Sequence, residues 1–199
     1  MSTTTIARGT VILLVFVLNT VWAQSFEDGM DAINKGDYET AFEIMQPLAE
    51  VGHTRAQVVL GGMYAAGKPV PEDDSEAVRW YRAAAERGHA GGQLILGHSY
   101  YAGNGVPQDY SEAMRWFRAA AEQGVARAQF QLGKMYGGGQ GVIQDHVTAH
   151  MWLNIASANG NETAKEGMDI FADVMSREAL EEAQSRARTC MESGYQDCE

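Results

Sequence analysis

The sequence predicts an all-α chain of stacked helix-turn-helix repeats, a solenoid, on three observations. Trp80, Trp116 and Trp152 stand 36 residues apart. Residues 53–88 laid over 89–124 agree at 21 of 36 positions, where unrelated chains of ordinary composition agree at about two. A glycine closes each unit, at Gly88, Gly124 and Gly160. A fixed period of about 20–50 residues marks a solenoid, because one helix pair can bury its apolar stripe only against its neighbours.

The first segment, residues 1–23, carries a single charge, Arg8, then an apolar run from Val11 to Leu18 and Val21-Trp22-Ala23 before Gln24. This pattern reads as a cleaved secretory signal, with an uncleaved N-terminal anchor as the alternative. The apolar run is far shorter than the roughly 20 residues that span a bilayer. No cysteine follows it to carry a lipid, so no stable membrane anchor is expected after cleavage. What remains is 199 − 23 = 176 residues with a formal charge of 14 − 26 = −12. That length supports a real core, and an apolar fraction of 45% excludes disorder. The acidic balance excludes nucleic acid, whose phosphates require a cationic patch.

Residues 24–52 read as an N-terminal helix pair: a short helix to about Asn34, a tight turn at Lys35-Gly36-Asp37, then Tyr38–Val51. Residues 53–88 form the first full repeat. Ala56, Leu60 and Tyr64 fall at i, i+4 and i+8 on one face of a helix over 54–66. Gly61 flanks that face, where a missing side chain lets the next helix approach. A turn over 67–73 follows, then a second helix from Ser75, taken as its N-cap, to about Arg87, with Ala77, Trp80, Tyr81 and Ala84 inward. Gly88 is placed for the left-handed conformation that ends it. Residues 89–124 and 125–160 repeat the plan. Residues 161–199 supply capping helices at about 163–174 and 177–191, with Ala164, Met168, Phe171 and Met175 on the apolar face of the first.

Leu60-Gly61-x-x-Tyr64 recurs at Leu96-Gly97-x-x-Tyr100 and Leu132-Gly133-x-x-Tyr136. Gly103-Asn104-Gly105-Val106-Pro107-Gln108-Asp109 is matched by Gly139 to Asp145, and Ala-x-x-Trp closes each set. This combination resembles the Sel-one-like repeat family, longer-looped relatives of the tetratricopeptide repeats. The resemblance covers residues 53–160 and implies a right-handed α-solenoid of about four helix pairs plus C-terminal capping helices, with adaptor roles through protein contacts. Residues 24–52, with their shorter turn, are closer to a tetratricopeptide unit. Two positions depart from the pattern: Pro69 replaces the second loop glycine of the first repeat, and Ile143 stands where the others have proline.

Little in the chain offers catalysis. Cys190 and Cys198, after an export signal, are expected to form one disulfide tying the tail to the last helix; a redox pair would want Cys-x-x-Cys. His53 and His89 open successive repeats and suggest a polar role at a turn. His146 and His150 share a helix face, yet the glutamate of a zinc motif is missing, so they are expected to face solvent with no metal bound. Asp73, Asp109 and Asp145 recur with the loops and are expected to accept backbone N–H groups at the next helix start. No nucleophile motif is present, and no catalytic residue or cofactor is assigned.

Binding is expected on the concave face lined by the first helix of each repeat. At 100° per residue the side opposite the framework stripe carries Arg55 in the first repeat, Leu94, His98 and Tyr101 in the second, and Arg127, Phe130, Lys134 and Gly137 in the third. These positions vary while the framework does not. Their apolar and basic groups suit a protein or peptide ligand with apolar anchors and some acidic character; alternatively Leu94 and Phe130 pack as core between first helices. The leading expectation is a non-catalytic interaction scaffold of the bacterial cell envelope, periplasmic or secreted. The alternatives are a cell-wall or β-lactam-related hydrolase of the cysteine-rich repeat type, whose Cys pairs in every repeat are absent here, or a glycan or peptidoglycan binder.

Overall fold

The computed structural model describes residues 25–198. The segment 1–23 expected to be a secretory signal lies outside the described residues. Those residues form ten helices and no strand. In order they are α1 (25–35), α2 (Tyr38–Glu50), α3 (Thr54–Ala66), α4 (Asp74–Glu86), α5 (Ala90–Ala102), α6 (Tyr110–Ala121), α7 (Ala126–Gly138), α8 (His146–Ala158), α9 (Ala164–Ala172) and α10 (Arg177–Glu192). No described helix is long and apolar enough to cross a membrane.

The helix boundaries follow from caps written into the repeat. Asp109 Oδ1 accepts the Ser111 and Glu112 amides, and Asp145 Oδ1 accepts those of Val147 and Thr148. Such caps satisfy donors that the first helical turn leaves orphaned. In the first repeat the same role falls to Asp73, which accepts the Glu76 amide at 3.0 Å. Ser75 is therefore not the cap; it lies inside the first turn of α4. The reason is the loop path: the Asp73, Asp109 and Asp145 amides donate to the Tyr64, Tyr100 and Tyr136 carbonyls, which sets the aspartate at the helix mouth. His53 and His89 cap α3 and α5, their Nδ1 atoms accepting from the Ala56 and Gly92 amides. The second helices end where expected, with Gly88, Gly124 and Gly160 at φ of 83°, 79° and 90°, a conformation that a Cβ disfavours.

The chain forms two compact units, one ending at Trp80 and one beginning at Tyr81. In the first, Phe26, Met45, Leu48, Leu60, Met63 and Trp80 build a core among α1, α2, α3 and the start of α4. In the second, Phe117, Leu132, Met135, Met151, Trp152 and Ile155 are buried together with Cys190. There α5 packs on α6 and α7 on α8, while α9 and α10 both pack on α8. Gly97 and Gly133 sit at the closest approaches: a Cβ on either would come within 2.7 Å of the Phe117 ring or the Leu153 side chain. The expected Cys190–Cys198 disulfide is formed. It holds the turn in which the Tyr195 hydroxyl pairs with the Asn159 amide group.

Covered by α7, α9 and α10, helix α8 is buried almost all round, and this corrects one expectation. His150 does not face solvent; it is 3% exposed, with Nδ1 unpartnered among the described residues, and burial pushes its pKa down. Its neighbour His146 is half-buried against the Phe171 ring, 5.2 Å between centroids.

Candidate functional site

The residues expected on the binding face separate into three groups. Arg55 belongs to the first unit, where its guanidinium lies 4.2 Å from the Phe26 ring centre and 3.6 Å from the Glu27 carboxylate. Leu94 and Tyr101 pack on the core of the second unit. Tyr101 also leans on Tyr110 and donates its hydroxyl to Gln140 Oε1 at 3.1 Å. The remaining four, His98, Arg127, Phe130 and Lys134, come together around two adjoining cavities.

One cavity, of about 370 Å³, lies between α7 and the capping helix α9. Its lining is mainly apolar, from Phe130, Leu153, Phe171 and Ile170, with Lys134 and Glu166 also contributing. Phe130 and Phe171 rest on Leu153, Ala156 and Ala164, so this wall is packed rather than loose. Gly137 explains how α9 fits here: a Cβ at that position would run into the Phe171 ring. Ile170 remains 66% exposed. A second cavity of about 210 Å³ is lined by His98, Arg127, Gln131 and Asn161, and shares Phe130 and Thr163 with the first.

The electrostatics of this corner run against the chain as a whole, which carries −11. Arg127 and Lys134 are exposed, and neither is ion-paired among the described residues. Lys134 Nζ stands 5.8 Å from the Phe130 ring centre, within cation–π range. His98 packs edge-on against Phe117 at 5.0 Å. Burial holds its pKa below the usual 6.5, and the charges of Arg127 and Lys134 push the same way, so the ring is neutral at neutral pH. Its Nδ1 lies 3.4 Å from the Gln131 amide nitrogen. On α9's N-terminal side, Asn161 Oδ1 accepts both the Thr163 hydroxyl and the Ala164 amide.

Sequence reasoning did not find Gln131, Asn161, Thr163, Glu166 or Ile170. Periodicity makes the first helices equivalent, but the third differs because α9 lies across its end. One signal was present: Ile170 and Val174 are apolar, four residues apart, and off the expected buried face of the capping helix. No group of three or more acidic, histidine or cysteine side chains able to hold a metal occurs among the described residues.

Helix pairs on a 36-residue period define an α-solenoid. The Sel1 repeat family model matches residues 54–89, 90–125 and 126–161, and the chain belongs to that family. It is similar to the crystal structure of a Sel1 repeat protein from Oxalobacter formigenes, at 30% identity and TM-score 0.71, covering 74% of this chain and 61% of that one. It is also similar to c5321, a protective antigen present in uropathogenic Escherichia coli strains and displaying an SLR fold. There the identity is 34% and the TM-score 0.73, covering 79% of this chain and 34% of that one. The chain thus matches less than two thirds of either neighbour's length. No curated protein matches it by sequence. Sel1 repeats are in general non-catalytic scaffolds that bind proteins.

Proposed function

We propose that this chain is a non-catalytic adaptor of the bacterial cell envelope, exported through its N-terminal leader, that holds a protein or peptide partner on the α7–α9 corner of its second unit. One observation carries this reading: an apolar cavity lined by Phe130 opens beside two cations, Arg127 and Lys134, that pair with no carboxylate among the described residues of an acidic protein. Surfaces of this kind, an aromatic anchor with a charged rim, concentrate binding energy and steer a partner of opposite charge. The disulfide supports an oxidising compartment, where such bonds persist.

Site-specific crosslinking tests the proposal. A photoreactive amino acid at Lys134, compared with one at exposed Gln184 on α10, should give discrete protein adducts in the envelope fraction only from position 134. Equal adducts from both positions would move binding off this corner. No adduct from either would overturn the adaptor reading.

A further inference from the structure

We infer that the two adjoining cavities form one bipartite subsite, which takes a peptide segment carrying a bulky apolar side chain next to an acidic one. This rests on the adaptor reading and specifies its ligand.

The division of chemistry between the cavities supports it. The larger has the volume for a single large side chain and presents carbon on nearly every side, from Phe130, Leu153, Phe171 and Ile170. An apolar group entering it exchanges water for packed walls, the main source of affinity in such pockets. The smaller is rich in donors. Arg127 offers a guanidinium fork, and Gln131 an amide. Asn161 has both its oxygen's bonds taken by Thr163 and Ala164, which leaves its NH₂ as the group available to a ligand. His98, held neutral by burial, still carries one ring N–H. A carboxylate answers that set, because it accepts at both oxygens and matches the guanidinium fork.

Phe130 and Thr163 line both cavities, so the two binding groups must come from neighbouring residues of one ligand. Lys134, on the rim of the larger cavity, lies over Phe130 and adds a second cation near the ring both cavities share. Glu166, the one carboxylate among the lining residues of the two cavities, sits on the apolar side and excludes an acid there. The order is therefore fixed: apolar group toward α9, acid toward Arg127.

A random dodecapeptide library displayed on phage and selected on the purified protein tests this directly. Enriched peptides should place Asp or Glu within one or two residues of Phe, Leu, Ile or Trp. For a synthetic copy of the best binder, fluorescence anisotropy should show that Arg127→Gln with Lys134→Gln weakens binding by roughly tenfold or more. Ile170→Ser should weaken it several-fold, and Glu166→Gln should strengthen it. All four side chains are exposed, so these variants keep the fold. Enriched peptides without the pairing, peptides that bind the double variant equally well, or no enrichment would each overturn the bipartite subsite. If crosslinks at Lys134 persist in the envelope fraction alongside such a result, the adaptor reading survives and only the ligand assignment falls.

Discussion

Replacing the buried glutamines by methionine should change stability unequally, in an order the hydrogen bonds dictate. Gln57, Gln93 and Gln129 are buried at 36-residue spacing. Each donates its side-chain amide to the carbonyl eight residues back, at the end of the preceding helix: Ala49 at 3.0 Å, Ala85 at 3.3 Å and Ala121 at 3.1 Å. They differ at Oε1. That of Gln129 accepts from Asn159 at 2.9 Å and that of Gln93 from Gln123 at 2.7 Å, while that of Gln57 is buried with no partner among the described residues. Methionine keeps the length and flexibility of glutamine without its polar atoms. Gln129→Met removes two hydrogen bonds of about 1 kcal/mol net each, and exposed Asn159 can turn to water, so about 2 kcal/mol should be lost. Gln57→Met removes one such bond but also an unpaired buried oxygen that costs about 1–3 kcal/mol, so stability should stay level or rise by up to about 2 kcal/mol. Gln93→Met should fall just short of Gln129→Met, given its longer amide bond. Urea denaturation followed by circular dichroism reads this as a shifted midpoint at constant slope. Hydrogen exchange assigns each loss to its own unit. A Gln57→Met loss equal to that of Gln129→Met would refute the reasoning.

Three further outcomes are expected. Gly97→Ala should cost about 1–3 kcal/mol by pressing a Cβ into the Phe117 ring at 2.7 Å; a thermal midpoint equal to the parent's would show that the ring moves aside freely. Cys198→Ser should cost about 2–3 kcal/mol, as expected for a short closed loop, and should free the Tyr195–Asn159 pairing, seen as faster amide exchange at the end of α10. Acidification should weaken the fold through His98 and His150. Both have folded-state pKa values below the usual 6.5, so the unfolded chain takes protons first, and stability falls as pH drops below about 6.5. His150→Gln should flatten that slope in denaturation titrations; an unchanged slope would assign the effect elsewhere. At lower pH, Asp145 takes over. Burial raises its pKa, but the Thr148 and Val147 hydrogen bonds outweigh burial and hold it below 3.8, so its contribution persists above that value and is lost beneath it.

The framework was legible because it is written three times. Leu60, Leu96 and Leu132 share one environment, as do Trp80, Trp116 and Trp152, and identity at a fixed spacing separates packing from chance. The glutamines at 57, 93 and 129 carry the same 36-residue signal, yet hydropathy alone places a polar residue on the solvent side of a helix. Their partner is a backbone carbonyl eight residues away, which a hydropathy pattern does not represent. The choice of Asp73 over Ser75 has the same origin: both residues can cap a helix, and the loop's bond to the Tyr64 carbonyl decides between them. The burial of His150 is not legible because periodicity describes one helix, whereas the burial of α8 is made by three others.

The candidate site was half legible for a related reason. Arg127, Phe130 and Lys134 follow from helical angle alone, since their places on α7 are set by the repeat. The pocket does not, because a solenoid's end breaks the repeat that makes its middle readable. Helix α7 meets α5 through the His98–Gln131 contact and, just past its end, the Tyr101–Gln140 hydrogen bond, and it also meets α9, a nine-residue capping helix whose Phe171 lies over Gly137. That contact turns a face that would otherwise be an open surface into a walled cavity, and places Thr163 and Ile170 opposite residues of α7. The same geometry explains why the corner can carry unneutralised cations in an acidic chain. Arg127 and Lys134 lie on the exposed side of α7 at the rims of the two cavities, where water solvates them and a ligand can reach them. In this fold, the residues that break the period are therefore the first to inspect for binding, and those that keep it are the first to inspect for stability.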